Sequence, residues 1–269
     1  MLRSLIHAVV VVSLLAFGLA SKVANAESTT LERVIEADTL VVGMSGSQPP
    51  MNAVNREGNF MGLDVDLARA LANAMRVDLR IEKMPFGELM GALDDGEVDL
   101  VISGMAITPE RAVDATFVGP YMLSGKSILT RGDVVERFAT GDLASQDVRL
   151  AALANSTSAT FVREAAPNAE LVEVDDYASA VAMIQAGEVS GLVADMPTCL
   201  LAVMRHPDAD LVTLDEPLTV EPLGIAVNAG DAQFAGLVGN YLDAYERTGL
   251  LMALRQKWME NSGWVAALP

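Results

Sequence analysis

The chain has 269 residues, 51% of them hydrophobic, and sets 18 Lys and Arg against 36 Asp and Glu, for a formal net charge of −18 at pH 7. So acidic a molecule repels nucleic-acid phosphates, which excludes a nucleic-acid partner. One cysteine, Cys199, rules out an internal disulfide, and two histidines leave little material for a histidine-based triad or a zinc cluster. No catalytic residue, metal or cofactor is expected.

The first residues read as a secretory signal peptide. Arg3 gives a basic start, an apolar run over 8–20 follows, and Ala24-Asn25-Ala26 fits the small-residue cleavage pattern. Cleavage after Ala26 makes 1–26 the signal and leaves about 240 residues, enough for one large domain or two lobes. Residues 1–26 hold Arg3 and Lys22 and no acid, so the mature chain is two charges more negative than the whole. No cysteine near the cut can carry a lipid, and no later apolar run is long enough to cross a bilayer. A free, exported chain is expected. Cys199, in the Leu-rich stretch 198–203, reads as a small buried hydrophobe.

Short β-type runs then alternate with helical patterns, which predicts an α/β fold with mostly parallel sheets. In chain order the predicted elements are strand 39–43, helix 64–75, strand 78–83, helix 87–94, strand 99–103, strand 148–153, helix 157–165 and strand 170–174. Helix 177–186, strand 191–194, helix 196–204, strand 223–227 and helices 232–248 and 249–261 complete the series. Two stretches echo each other: 87–105 reads GELMGALDDGEVDLVISGM and 178–196 reads ASAVAMIQAGEVSGLVADM. Each is an amphipathic helix, a Gly-Glu-Val turn with Gly96 or Gly187 as helix cap, and a buried strand. Two similar α/β lobes are implied, with Gly104 and Asp195 at equivalent strand ends. In open α/β sheets ligands bind beyond the carboxyl ends of strands.

The segment 99–111, DLVISGMAITPER, carries the strongest chemical pattern. A buried strand runs to Gly104, whose lack of a side chain lets backbone approach a ligand. Thr108 and Pro109 then suit the start of a helix, where free N–H groups favour an anion. Arg111 adds a planar fork that fits a carboxylate bidentately. Together these read as a carboxylate site. In 154–161, ANSTSATF, the residues Asn155, Ser156 and Thr157 cap the next helix and offer hydroxyls. Asp195 ends a buried strand, either at a cleft, where it attracts an ammonium, or paired in the core. Phe86 serves as an apolar or cation–π wall or as ordinary core. Asp64 and Asp66 open a helix, where they favour its dipole, and read as structural. There is no P-loop and no GxGxxG.

The order of Gly62, Asp64, Asp66, Leu67 and Ala68, then DLVISGMAITPER, then Phe117-Val118-Gly119-Pro120-Tyr121, resembles the family 3 bacterial solute-binding proteins over essentially the whole mature chain. The resemblance implies a two-lobed periplasmic binding protein of the type II fold, closing on an amino-acid-like ligand by hinge strands and delivering it to an ABC transporter permease. It implies lobe 1 over 27–124 plus 223–269, lobe 2 over 125–222, crossings near 126–130 and 220–226, and a periplasmic monomer. By the same resemblance Arg111 grips an α-carboxylate beside Gly104 and Ala106. Thr157, with Ser156 next to it, binds at the second lobe's helix start, Asp195 holds the α-amino group, and Phe86 is the aromatic wall. Gln48 stands where a second aromatic is often found, Ser45 where binders of basic amino acids carry an acid, and Ala106 where a hydroxyl is common.

An enzyme of the same fold is the alternative. The stretch from Gly125-Lys126-Ser127 to Arg137-Phe138 resembles the cyclohexadienyl (arogenate) dehydratases. Aligned on their Gly-Thr-Asn-Glu segment, Ser158 replaces the asparagine and Ala159 the general-acid glutamate, and alanine supplies no proton. A ligand-sensing accessory role is the third reading.

Overall fold

The computed structural model describes residues 29–135, 138 and 147–269; the predicted signal segment and Arg137 lie outside the described residues. The strands are β1 (Thr39–Met44), β2 (Ser47–Gln48), β3 (Asn52–Val54), β4 (Phe60–Met61), β5 (Asp78–Lys83), β6 (Leu100–Val101) and β7 (Ala115–Ser124). After these come β8 (Lys126–Arg131), β9 (Arg149–Leu153), β10 (Glu170–Val174), β11 (Gly191–Asp195), β12 (Leu211–Thr213) and β13 (Glu221–Asn228). The helices are α1 (Thr30–Ala37), α2 (Leu63–Met75), α3 (Leu89–Asp94), α4 (Arg111–Asp114), α5 (Thr157–Ala165), α6 (Tyr177–Ala186), α7 (Met196–Arg205), α8 (Ala232–Arg247) and α9 (Leu250–Arg255).

Two five-stranded sheets have orders β5-β1-β6-β13-β7 and β10-β9-β11-β8-β12, and β2, β3 and β4 form a small antiparallel sheet. The two large sheets are built alike. In each, the first three strands are parallel, and the fourth runs antiparallel to both of its neighbours. The sheets are therefore mixed rather than mostly parallel. Parallel neighbours need a crossover helix, and β8 and β13 have none. They follow directly on the passage from the other sheet and enter against the parallel strands.

The repeated helix–turn–strand pattern occupies equivalent places. α3 leads into β6, and α6 into β11, each the central strand of its sheet. Gly96 and Gly187 have φ of +71° and +73°, the left-handed conformation that ends a helix at low cost in glycine. Asp176 caps α6 by accepting from the Ser179 N–H, and Ser156 caps α5 by accepting from Ala159.

The predicted strand 99–103 shortens to Leu100–Val101, because the chain turns away at Gly104 (φ +57°). The predicted helix 87–94 begins as a 3-10 turn, Phe86–Glu88, and the helix 249–261 stops at Arg255, where a π turn, Gln256–Glu260, takes over. The helix expected at Thr108 begins only at Arg111 and makes a single turn. It is too short to present a helix dipole to an anion.

The first sheet packs α2, α8 and α9 around Leu40, Leu67, Leu71, Ile225, Phe234 and Trp258; Ile128, Leu150, Val162 and Val193 form an apolar cluster of the second. The chain passes between sheets twice, at Gly125, between β7 and β8, and over 214–220, between β12 and β13. Glu221 and Pro222 already pair with Ser124 and Leu123 in the first sheet. The passages run close together. A Cβ on Gly125 would overlap the Thr219 carbonyl oxygen, and the Lys126 N–H donates to Thr219 Oγ1 at 2.9 Å. Among the described residues, no helix is long and apolar enough to cross a membrane.

Candidate ligand-binding site

The loop after β6 is held from behind by Asp64. This carboxylate is 0% exposed, and three donors converge on it: Asn52 Nδ2 and the Gly104 N–H at Oδ2, and the Tyr121 hydroxyl at Oδ1, each at 2.8 Å. Asp64 is thus structural, as its place at a helix start suggested, but through a buried network rather than through the dipole. Asp66 does a different job, accepting from Lys257 Nζ and Trp258 Nε1.

Burial raises the Asp64 pKa to about 6, against the lowering effect of its hydrogen bonds to Asn52, Tyr121 and Gly104. The folded state therefore holds this proton more tightly than the unfolded chain. The stabilisation is fully present below the ordinary carboxylate value near 4 and is lost as pH rises to about 6, with a size of about 3 kcal/mol. Carbonyl NMR titration is expected to place the Asp64 midpoint near pH 6; a midpoint below 4 would show that the three donors outweigh burial.

Arg111 follows this loop. Its backbone N–H bonds to Thr108 Oγ1, and its Nη1 donates to the Ala106 carbonyl at 3.0 Å. Nη2 reaches the Asn155 carbonyl at 3.1 Å, on the far side, just past β9 in the second sheet. The guanidinium carbon lies 5.6 Å from the centre of the Phe86 ring, so Phe86 is the wall against which the fork stacks. Two of the five guanidinium N–H donors are engaged in these bonds. Burial lowers the Arg111 pKa, opposed by Glu221, Asp195 and Glu110. Arg111 and Asp195 therefore share one electrostatic neighbourhood although they project from different sheets.

Asp195, at the end of β11, is buried and paired. Lys126, its cross-strand partner in register on β8, places Nζ 2.6 Å from Oδ1. The same ammonium lies 2.9 Å from Glu221 Oε2, and Lys126 is 4% exposed. Burial works against the Lys126 charge, and the two carboxylates outweigh it, leaving the ammonium's pKa above its ordinary value. Glu221 Oε2 also accepts from Thr157 Oγ1 at 2.8 Å. Lys126 and Glu221 were not among the sequence candidates. Their signal was present but faint: a lysine leading an apolar run, and a glutamate before the proline of another.

The other candidates divide. Thr157 is half-buried at the start of α5, with its hydroxyl on Glu221. The Ser156 hydroxyl, by contrast, donates to the Leu153 carbonyl and accepts from the Ala159 N–H, so its proton and one lone pair serve the cap. Gln48 and Ser45 are buried beside β6: Gln48 Oε1 accepts from the Ser45 and Ser103 hydroxyls, and the Gln48 side chain lies close to the Tyr177 hydroxyl from the second sheet's side. Ala106 is buried and joined to Leu223 by a bridge. Ala159 lies fully buried within an apolar cluster. A carboxyl there would face the core, so alanine at this place does not distinguish an enzyme from a binder. The Cys199 thiol is buried and its pKa pushed up to about 12, as for an inert core cysteine.

The model of the bacterial extracellular solute-binding proteins, family 3, matches residues 40–261. ABC transporter arginine-binding protein 1 of Escherichia coli is 26% identical over 82% of this chain and 91% of its own length. Cyclohexadienyl dehydratase of Pseudomonas aeruginosa is 28% identical over 96% of each chain. The structure of a putative ABC-transporter binding component from Wolinella succinogenes, complexed with lysine, superposes with a TM-score of 0.80 at 29% identity, covering 85% of this chain and 99% of that one.

Proposed function

The chain belongs to the bacterial extracellular solute-binding proteins of family 3, and from this membership we propose that it is a periplasmic, monomeric binding protein that clamps an amino acid and hands it to an ABC transporter permease. The observation that carries the reading is the convergence, from two sheets, of a guanidinium with donors to spare and a cluster of carboxylates.

In this reading the lobes are 27–124 plus 223–269 and 125–222, except that Glu221 and Pro222, paired with Ser124 and Leu123, go with the first, and the passages at Gly125 and 214–220 are the hinge. Arg111 takes the α-carboxylate beside Gly104, and Asp195, with Glu221 and Thr157 behind it, takes the α-ammonium. Asp195 Oδ2 has no hydrogen-bond partner among the described residues and is the oxygen that receives it. Both contacts exist only with the lobes together. Ligand therefore shifts the open–closed equilibrium by as much as it prefers the closed form. Ser156 gives its proton to the Leu153 carbonyl and caps α5, so it brings the ligand no donor.

A thermal-shift screen of the twenty amino acids is expected to raise the melting midpoint with at least one of them, by the mass action of a ligand that binds only the folded state. No shift with any amino acid would sink the proposal. The likeness to cyclohexadienyl dehydratase supports a second reading, an enzyme of the same fold. Incubation with prephenate and arogenate decides it: turnover establishes the enzyme, and its absence alongside a thermal shift leaves the binding protein.

A further inference from the structure

We propose that the Lys126–Asp195–Glu221 cluster sets the charge class of the ligand, making the cleft selective for amino acids with uncharged side chains. The inference rests on the amino-acid reading of the same site and deepens it.

Two cations share the same two carboxylates: Lys126 lies 2.6 Å from Asp195 and 2.9 Å from Glu221, and both carboxylates act on Arg111. Their sum is zero. Glu110, which also acts on Arg111, is exposed to solvent. A neutral zwitterion keeps the balance when water is excluded, and a ligand with one further charge of either sign does not.

The carboxylates are largely engaged and leave few acceptors for a side-chain cation. Glu221 Oε2 is held by Lys126 and Thr157, and Oε1 accepts from Thr219. Asp195 has Lys126 on Oδ1 and keeps one oxygen, which the α-ammonium takes. Asp64 is fully buried and already engaged by three donors. Ser45, Gln48, Ser103 and Tyr177 add hydrogen-bonding groups without charge. Lys126 thus cancels one of two acids, and a ligand ammonium added beyond the first meets its repulsion.

Substitutions that step the cleft's charge test this. Calorimetric titration uses glutamine, arginine, lysine and glutamate as probes, with a melting curve verifying that each variant folds. The wild type is expected to bind glutamine at least about tenfold more tightly than arginine, lysine or glutamate. Lys126→Met leaves the cleft at −1 and shifts the preference by about tenfold or more toward arginine and lysine. Glu221→Gln leaves it at +1 and shifts the preference toward glutamate. The double variant Lys126→Met/Glu221→Gln returns to zero and to glutamine. The double variant leaves one carboxylate without Lys126, Asp195, where the single change at Lys126 leaves two, so it perturbs the fold less, and its glutamine preference supports the proposal on its own. Equal or tighter binding of arginine by the wild type, or preferences in the folded variants that ignore the charge step, overturns the inference and leaves the amino-acid reading standing. No binding of any amino acid by the wild type overturns both.

Discussion

Replacing Arg111 by alanine is expected to weaken amino-acid binding by about 2–5 kcal/mol, roughly thirtyfold to several thousandfold, as measured by calorimetry. Three losses combine. The ligand carboxylate loses a planar, charged donor pair. The hydrogen bond from Nη2 to the Asn155 carbonyl disappears, and with it a tether between the two sheets. The stack on Phe86, at 5.6 Å, goes too, so the wall no longer fixes a donor in place. Arg111→Lys separates charge from shape. Lysine keeps the charge but cannot reach the Ala106 carbonyl, the Asn155 carbonyl and a carboxylate at once, so it recovers only part of the affinity. The melting midpoint without ligand should move little, because Arg111 is half-buried and Asn155 is exposed, where water replaces the lost donor. An alanine variant that binds within threefold of the wild type would show that the ligand carboxylate lies elsewhere.

What sequence could reveal followed the range over which each signal acts. Helices 157–165 and 177–186 were legible to the residue, because Ser156, Asp176 and Gly187 mark their ends within a few positions. The internal echo revealed two sheets built alike, since each copy is a local pattern. β7 was missed although it is ten residues long, because Gly119 and Pro120 interrupt its middle and read as a break. The candidates Arg111, Gly104 and Asp195 came from local patterns, an expected helix start and two strand ends, of which the helix start fell three residues later than expected. Lys126 was not, since its partners lie 69 positions away at Asp195 and further still at Glu221. A buried lysine is intelligible only once both acids are known to meet it, and no local pattern states that. The same distance explains Asp64. Its donors come from Asn52, Gly104 and Tyr121, three separate segments, whereas the helix start beside it is local and suggested a dipole role.

Removing that carboxylate is expected to have the largest effect on folding. Hydrogen bonds to a charged group contribute about 1.5–3 kcal/mol each, so three would sum to about 5–9 kcal/mol. Taking the carboxylate out of water offsets part of this. The net expectation for Asp64→Ala is a loss of about 2–6 kcal/mol in urea denaturation at pH 7, enough to leave a marginally stable domain partly unfolded. Asp64→Asn should fare little better. All three partners are donors, and an amide brings one acceptor oxygen and turns two further donors toward them. Tyr121→Phe supplies the control, because it withdraws one donor without touching the rest. If the network acts as a unit, Asp64→Ala combined with Tyr121→Phe costs less than the sum of the single changes, since the first has already stranded the hydroxyl that the second deletes. Ligand affinity should fall in step, because the Gly104 N–H is fixed by the same carboxylate and lies at the turn that brings Arg111 to the cleft. An Asp64→Ala protein within 1 kcal/mol of the wild type would mean that water reaches the cavity and satisfies all three donors, and the loop after β6 would then need another anchor.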